Sequence, residues 1–155
     1  MTDPEKIHFK NKLKQFALAL IGQRITAAKE SIEQAQQAAN QEEKSSAGDK
    51  YETSRAMGHL QKDMHARQLA EHAKEQATLL RVNVDAVYPA ATAGSFVSCK
   101  GIAFFIAAGL GKQITEGQPI YFLSPQAPLA KALEHKKGGD SIHFNSMNWL
   151  ILDVY

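Results

Sequence analysis

Apolar residues return at steps of three and four through Phe9, Leu13, Phe16, Leu20, Ile21, Ile25, Ala28, Ile32, Ala35 and Ala39. That spacing predicts one long helix with a single apolar seam, carrying a stutter where Leu20 and Ile21 are adjacent. Asp3-Pro4 is a suitable start, because Asp caps free amides and Pro is tolerated in the first turn. The segment Lys44-Ser45-Ser46-Ala47-Gly48 interrupts the pattern, and a second seam runs through Met57, Leu60, Met64, Leu69, Ala73 and Leu80. A short break between two long amphipathic helices forces them back on each other as an antiparallel hairpin. A helix from Pro4 to Glu43 reaches roughly 60 Å at 1.5 Å per residue. The first seam narrows from Phe and Leu to Ala toward the turn, so the distal half is expected to be a slender probe.

The second half changes period. Residues 1–84 carry 13 basic and 11 acidic side chains and one proline; residues 85–155 carry five of each charge, four prolines and seven of the ten glycines. A composition shift of this kind marks a boundary near Asp85–Ala93. Gly94–Cys99 alternates like a strand, Lys100-Gly101 turns the chain into the apolar run Ile102–Ala108, and Ile120–Leu123 reads as a buried strand. Pro128–Glu134 is a short helix, Gly138-Gly139-Asp140 a turn, and Ser141–Phe144 with Trp149–Val154 closing strands around Asn145-Ser146. The fold class is therefore α+β. Residues 1–84 form an antiparallel coiled-coil hairpin with an acidic tip near 45–53, residues 85–92 a linker, and residues 93–155 a small antiparallel sheet with one packed helix.

Composition removes several function classes. With 18 basic against 16 acidic residues in 155, the net charge of +2 is too balanced to hold naked nucleic acid by bulk charge. The single cysteine, Cys99, rules out an intrachain disulfide framework and a Cys-rich zinc module. MTDPEKIHFKNK lacks the apolar core of a secretory leader, and no apolar run approaches the ~20 residues of a membrane span. A cytoplasmic protein is expected.

The segment around the helix break carries the most chemistry. Asp49 and Glu52 stand three apart where the second helix begins, so both carboxylates project from one side of the hairpin end. Two hard oxygen ligands there suit a Mg²⁺ whose other ligands come from elsewhere; the same Asp-x-x-Glu spacing also serves as a capping box. His65 and His72 share a helix face but have no third ligand at zinc spacing. Cys99 in a strand reads as a small core hydrophobe. Gly109-Leu110-Gly111-Lys112 lacks the spacing of a phosphate loop. Lys10, Lys12, Lys14, Arg24 and Lys29 on the first helix, and Arg55, Lys62 and Arg67 on the second, read as a solvated charged face or as contacts to RNA or an acidic partner.

Gly48-Asp49-Lys50-Tyr51-Glu52 matches the first five positions of a tip motif G-D-x-x-E-N-A-E-Y. Gly94-Ser95-Phe96-Val97 follows a G-S-x-V pattern. Ala127-Pro128-Leu129-Ala130-Lys131-Ala132-Leu133 and Gly139-Asp140 follow S-P-[LI]-[GA]-[RK]-A-L-x-G-[KR]-x-x-G-D, and Leu150–Val154 a final strand. In this order, over essentially the whole chain, these segments resemble the bacterial Gre transcript-cleavage factors (GreA and GreB). The departures are Thr53-Ser54-Arg55-Ala56 in place of Asn-Ala-Glu-Tyr, Ala127 in place of serine, and His135 in place of the glycine before Lys136.

The resemblance implies an FKBP-like C-terminal domain and a transcription elongation factor, with the family's link to DNA-bound transcription complexes. Such a factor docks on RNA polymerase at its secondary channel and threads the hairpin inward. Asp49 and Glu52 would then share a weakly held Mg²⁺ with the polymerase, which itself cleaves backtracked RNA at the nascent 3′ end; the factor is not an enzyme alone. Lys44, Arg55, Lys131 and Lys136 become candidate contacts to RNA or polymerase. The alternative is a channel-binding regulator or inhibitor without cleavage, favoured by Arg55 beside the tip. A prolyl isomerase and a plain structural coiled coil are weaker readings.

Overall fold

A computed structural model of the chain describes residues 1–45 and 49–155, with the side chains of 42–51 outside the described part. The elements run α1 (Asp3–Ser45), α2 (Asp49–Arg81), β1 (Phe96–Cys99), β2 (Ile102–Ile106), β3 (Gly111–Thr115), β4 (Gln118–Leu123), α3 (Pro128–Leu133), β5 (Ser141–Phe144) and β6 (Met147–Val154). Contacts divide the chain into a unit of Met1–Ala19 with Glu75–Tyr155, and a unit of Leu20–Lys74. Among the described residues no helix is long and apolar enough to cross a membrane.

In the first unit six strands form a sheet in the order β3-β4-β2-β1-β6-β5. Every ladder is antiparallel except β2 with β4, which pair in parallel through Phe104↔Tyr121 and Phe105↔Phe122. The expected sheet was wholly antiparallel and lacked β3. That strand escapes the sequence pattern because it is an outer edge with its residues mostly exposed, Ile114 facing water at 76 % exposure. Inserting it at the edge is what lets β4 return beside β2 in the same direction.

The apolar run of β2 is continuous because both faces of the sheet are covered. On one face Val97, Cys99, Phe104, Ile106, Ile151 and Val154 pack with Ala130 and Leu133 of α3, and Trp149 sets its ring edge against Phe104. On the other, Phe96, Phe105 and Phe122 meet the base of α1: Phe9 stands edge-on to Phe96 at 5.1 Å, and Phe16 lies 5.7 Å from Phe122. Each such side chain, removed from water, contributes about 1.5–3 kcal/mol. Ion pairs add Lys6–Asp153 and Lys12–Glu116.

In the second unit the distal parts of α1 and α2 lie antiparallel. Lys62 Nζ donates to Gln36 Oε1 at 2.8 Å, and a Cβ on Gly58 would sit 3.5 Å from that of Ala39, so advancing along α1 retreats along α2. The α1 seam follows the expected residues, with Ile21 and Ala28 buried and Ala35 and Ala39 half-buried.

The α2 seam follows the expectation only in part. Leu69 is half-buried as expected, but Met57, Leu60, Met64, Ala73 and Leu80 are exposed, while Gly58, His65 and His72 are half-buried and Leu79 is fully buried. Gly58, His65 and His72 follow at steps of seven and so share one face of the helix.

Candidate functional site: the hairpin end

Asp49 opens α2 and Glu52 follows in the same turn, where the helix dipole favours negative charge. The side chains of Lys44 and Asp49 lie outside the described residues. Glu52 is exposed, as is Arg55 one turn further on. Both the metal-ligand and the capping reading need carboxylates in this first turn. Among the described residues no three His, Cys, Asp or Glu side chains gather as a metal-holding group.

Below the end of the hairpin lies a cleft of about 90 Å³ lined by Ala35, Gln36 and Ala39 of α1 and Arg55, Gly58, His59 and Lys62 of α2. Small residues bring the helices close at Ala39 and Gly58. Arg55, His59 and Lys62 follow one another at i, i+4 and i+7, so three nitrogen-bearing side chains share a face of α2. Among the described residues that line the cleft, these three are the ionisable ones. His59 was not singled out from the sequence, and the i, i+4, i+7 spacing with Arg55 and Lys62 was the signal available.

The other candidate cations resolve differently. Lys131 lies exposed on α3 and Lys136 is half-buried just after it, both in the α+β unit. Lys10, expected on a solvated face, is fully buried, with Nζ donating to Ala86 O and Gly94 O and lying 4.7 Å from the Tyr88 ring centroid. Lys14 Nζ donates to Leu80 O and Val82 O, and Lys12 pairs with Glu116. Lys10 and Lys14 serve internal structure because the end of α2 and the connector after it run alongside α1, contacts between residues 66 to 84 positions apart.

Cys99 is a core residue, as expected: it is 5 % exposed, and burial pushes its thiol up to about 11. A thiol so protonated is a poor nucleophile.

No family model, no curated protein and no solved structure matches this chain.

Proposed function

We propose that this chain is a Gre-like elongation factor that enters the secondary channel of bacterial RNA polymerase and stimulates the polymerase's own cleavage of backtracked RNA. The observation that carries the reading is that α2 begins at Asp49, with the exposed Glu52 in its first turn, and runs antiparallel to α1. The α+β unit is read as FKBP-like, and the site of action as cytoplasmic.

A second observation supports the resemblance. His135 adopts φ 68° just after α3, at the position where the Gre pattern has glycine. Left-handed backbone is what glycine supplies at a helix C-terminus, so the motif and the local geometry agree even where the residue differs.

In this reading Glu52 and Asp49 each offer an oxygen ligand from the start of α2, and the polymerase's own acids complete the set. When bound, the shared Mg²⁺ supplies charge neutralisation and a polarised water for phosphodiester hydrolysis. Arg55, His59 and Lys62 face the phosphates of the displaced RNA end, orienting the chain by charge without reading its bases.

The alternative is a channel-occupying regulator without cleavage, and Arg55 favours it: a guanidinium one turn from Glu52 competes for the same carboxylate. The test is RNA cleavage in a backtracked elongation complex, with Asp49→Asn and Glu52→Gln beside wild type. Both replacements keep capping ability. If the acids hold metal, each lowers cleavage by about 100-fold with polymerase binding intact. Wild-type channel occupancy without cleavage at any Mg²⁺ concentration selects the regulator.

A further inference from the structure

The connector between α2 and β1 is held in an unusual way. Among the described residues, no backbone–backbone hydrogen bond involves residues 86–90. The flanks are anchored: Val82 N–H donates to Leu79 O on one side, and on the other Ala91 exchanges bonds with Lys136 and His135 while Gly94 N–H donates to Ile106 O. Between these anchors the chain is fastened by side chains.

Lys10 is the central fastener. Its Nζ takes the first carbonyl of the unpaired stretch, Ala86 O at 2.5 Å, and a carbonyl at the far anchor, Gly94 O at 3.0 Å. The Tyr88 ring lies against the same nitrogen, and Tyr88 OH donates to Asn83 O at 2.7 Å. Asn11, the next residue on α1, donates to Asp85 Oδ1 at 2.8 Å. Gly94 is needed for the closure: its φ is 91°, and a Cβ there would stand 2.1 Å from Asn83 O. The connector therefore wraps around one amine and nearly touches itself behind it.

A buried lysine is costly in an otherwise apolar packing, and a methionine, one atom shorter, fills most of the same space without desolvating a charge. What the amine adds is a link between two backbone carbonyls eight residues apart that nothing else joins. We propose that residues 85–90 form a strap that opens and closes on the base of α1 as a local unit between the anchors at Val82 and Ala91, with the Lys10 amine as its fastener. Lys14, one turn along α1, holds only Leu80 O and Val82 O and stands outside the strap.

The test uses the full chain and elastase, which cuts after small residues such as Ala86 and Ala90, with the cut sites located by mass spectrometry. Trp149 emission and far-ultraviolet circular dichroism report whether sheet and helices persist. Lys10→Met is expected to raise cutting within 86–90 by tenfold or more with both signals unchanged, and Lys14→Met to leave it within twofold of wild type. Cutting of Lys10→Met at the wild-type rate overturns the proposal, as does an equal rise in Lys14→Met. Should Lys10→Met fail to fold, wild type alone decides. Local opening gives a cutting rate that barely changes with urea below the unfolding transition, whereas a rate climbing in step with global unfolding overturns the strap.

Discussion

Gly109 N–H donates to Glu75 Oε1 at 2.5 Å, tying α2 to the loop between β2 and β3. The two residues are 34 positions apart, and the bond gives an otherwise unpaired loop amide a charged acceptor. Glu75→Ala is expected to lower unfolding free energy by about 1–2 kcal/mol, while Glu75→Gln keeps an acceptor and loses less than about half of that. Urea titration followed by Trp149 emission measures both.

The buried face of α2 is open to direct test. Leu60 is 69 % exposed and Leu79 fully buried. Leu79→Ala is expected to cost about 2–5 kcal/mol and Leu60→Gln no more than about 0.5 kcal/mol. A larger loss from Leu60→Gln than from Leu79→Ala puts the seam back on the more apolar stripe through Met57 and Met64.

His135 pays for its left-handed backbone. With φ at 68°, its Cβ crowds the main chain by about 1–2 kcal/mol relative to glycine. Part of that gain is offset by the greater unfolded-state freedom of glycine, so His135→Gly is expected to raise stability by about 0.5–1 kcal/mol. Thermal unfolding gives the sign: a lower midpoint contradicts the conformation described for α3's end.

Lys10 links stability to pH in a defined direction. Burial lowers its pKa from 10.5 to about 8, with Asp85 opposing the shift; Tyr88 is the other titratable group against it. Between these two values the unfolded chain binds more protons than the folded one, so stability rises with pH there. The penalty of burying the ammonium is complete below about pH 8 and is relieved toward 10.5, where a neutral amine still has two N–H donors for Ala86 O and Gly94 O. Tyr88 and Tyr155 also have raised pKa values, chiefly from burial, and act oppositely at high pH. The quantity to measure is therefore the wild-type stability minus that of Lys10→Met, which is expected to grow from pH 7.5 to pH 10. A flat difference contradicts the burial of the amine.

The start of α2 at Asp49 was legible because its signal is local: a glycine and two acids three apart stand just where a helical period restarts. The cleft beneath it was legible only in part. Arg55 and Lys62 stood out as charges, but whether a helical cation faces a partner helix, a notch or water depends on how α2 is turned.

By itself the sequence determined the elements whose cause lies within a few residues. Heptad spacing makes α1 and α2, alternation makes β1, β5 and β6, and Pro128 starts α3. Gly101 and Gly139 take the positive φ that their turns demand, as does Asn145-Ser146 between β5 and β6. Tertiary structure alone decided the parallel pairing of β2 with β4, the edge place of β3, which residues of α2 are buried, and the burial of Lys10. Each depends on partners distant in the chain. A strand's neighbour, a helix's inward stripe and a lysine's acceptors are settled by which surfaces exclude water together, and no local period encodes that choice.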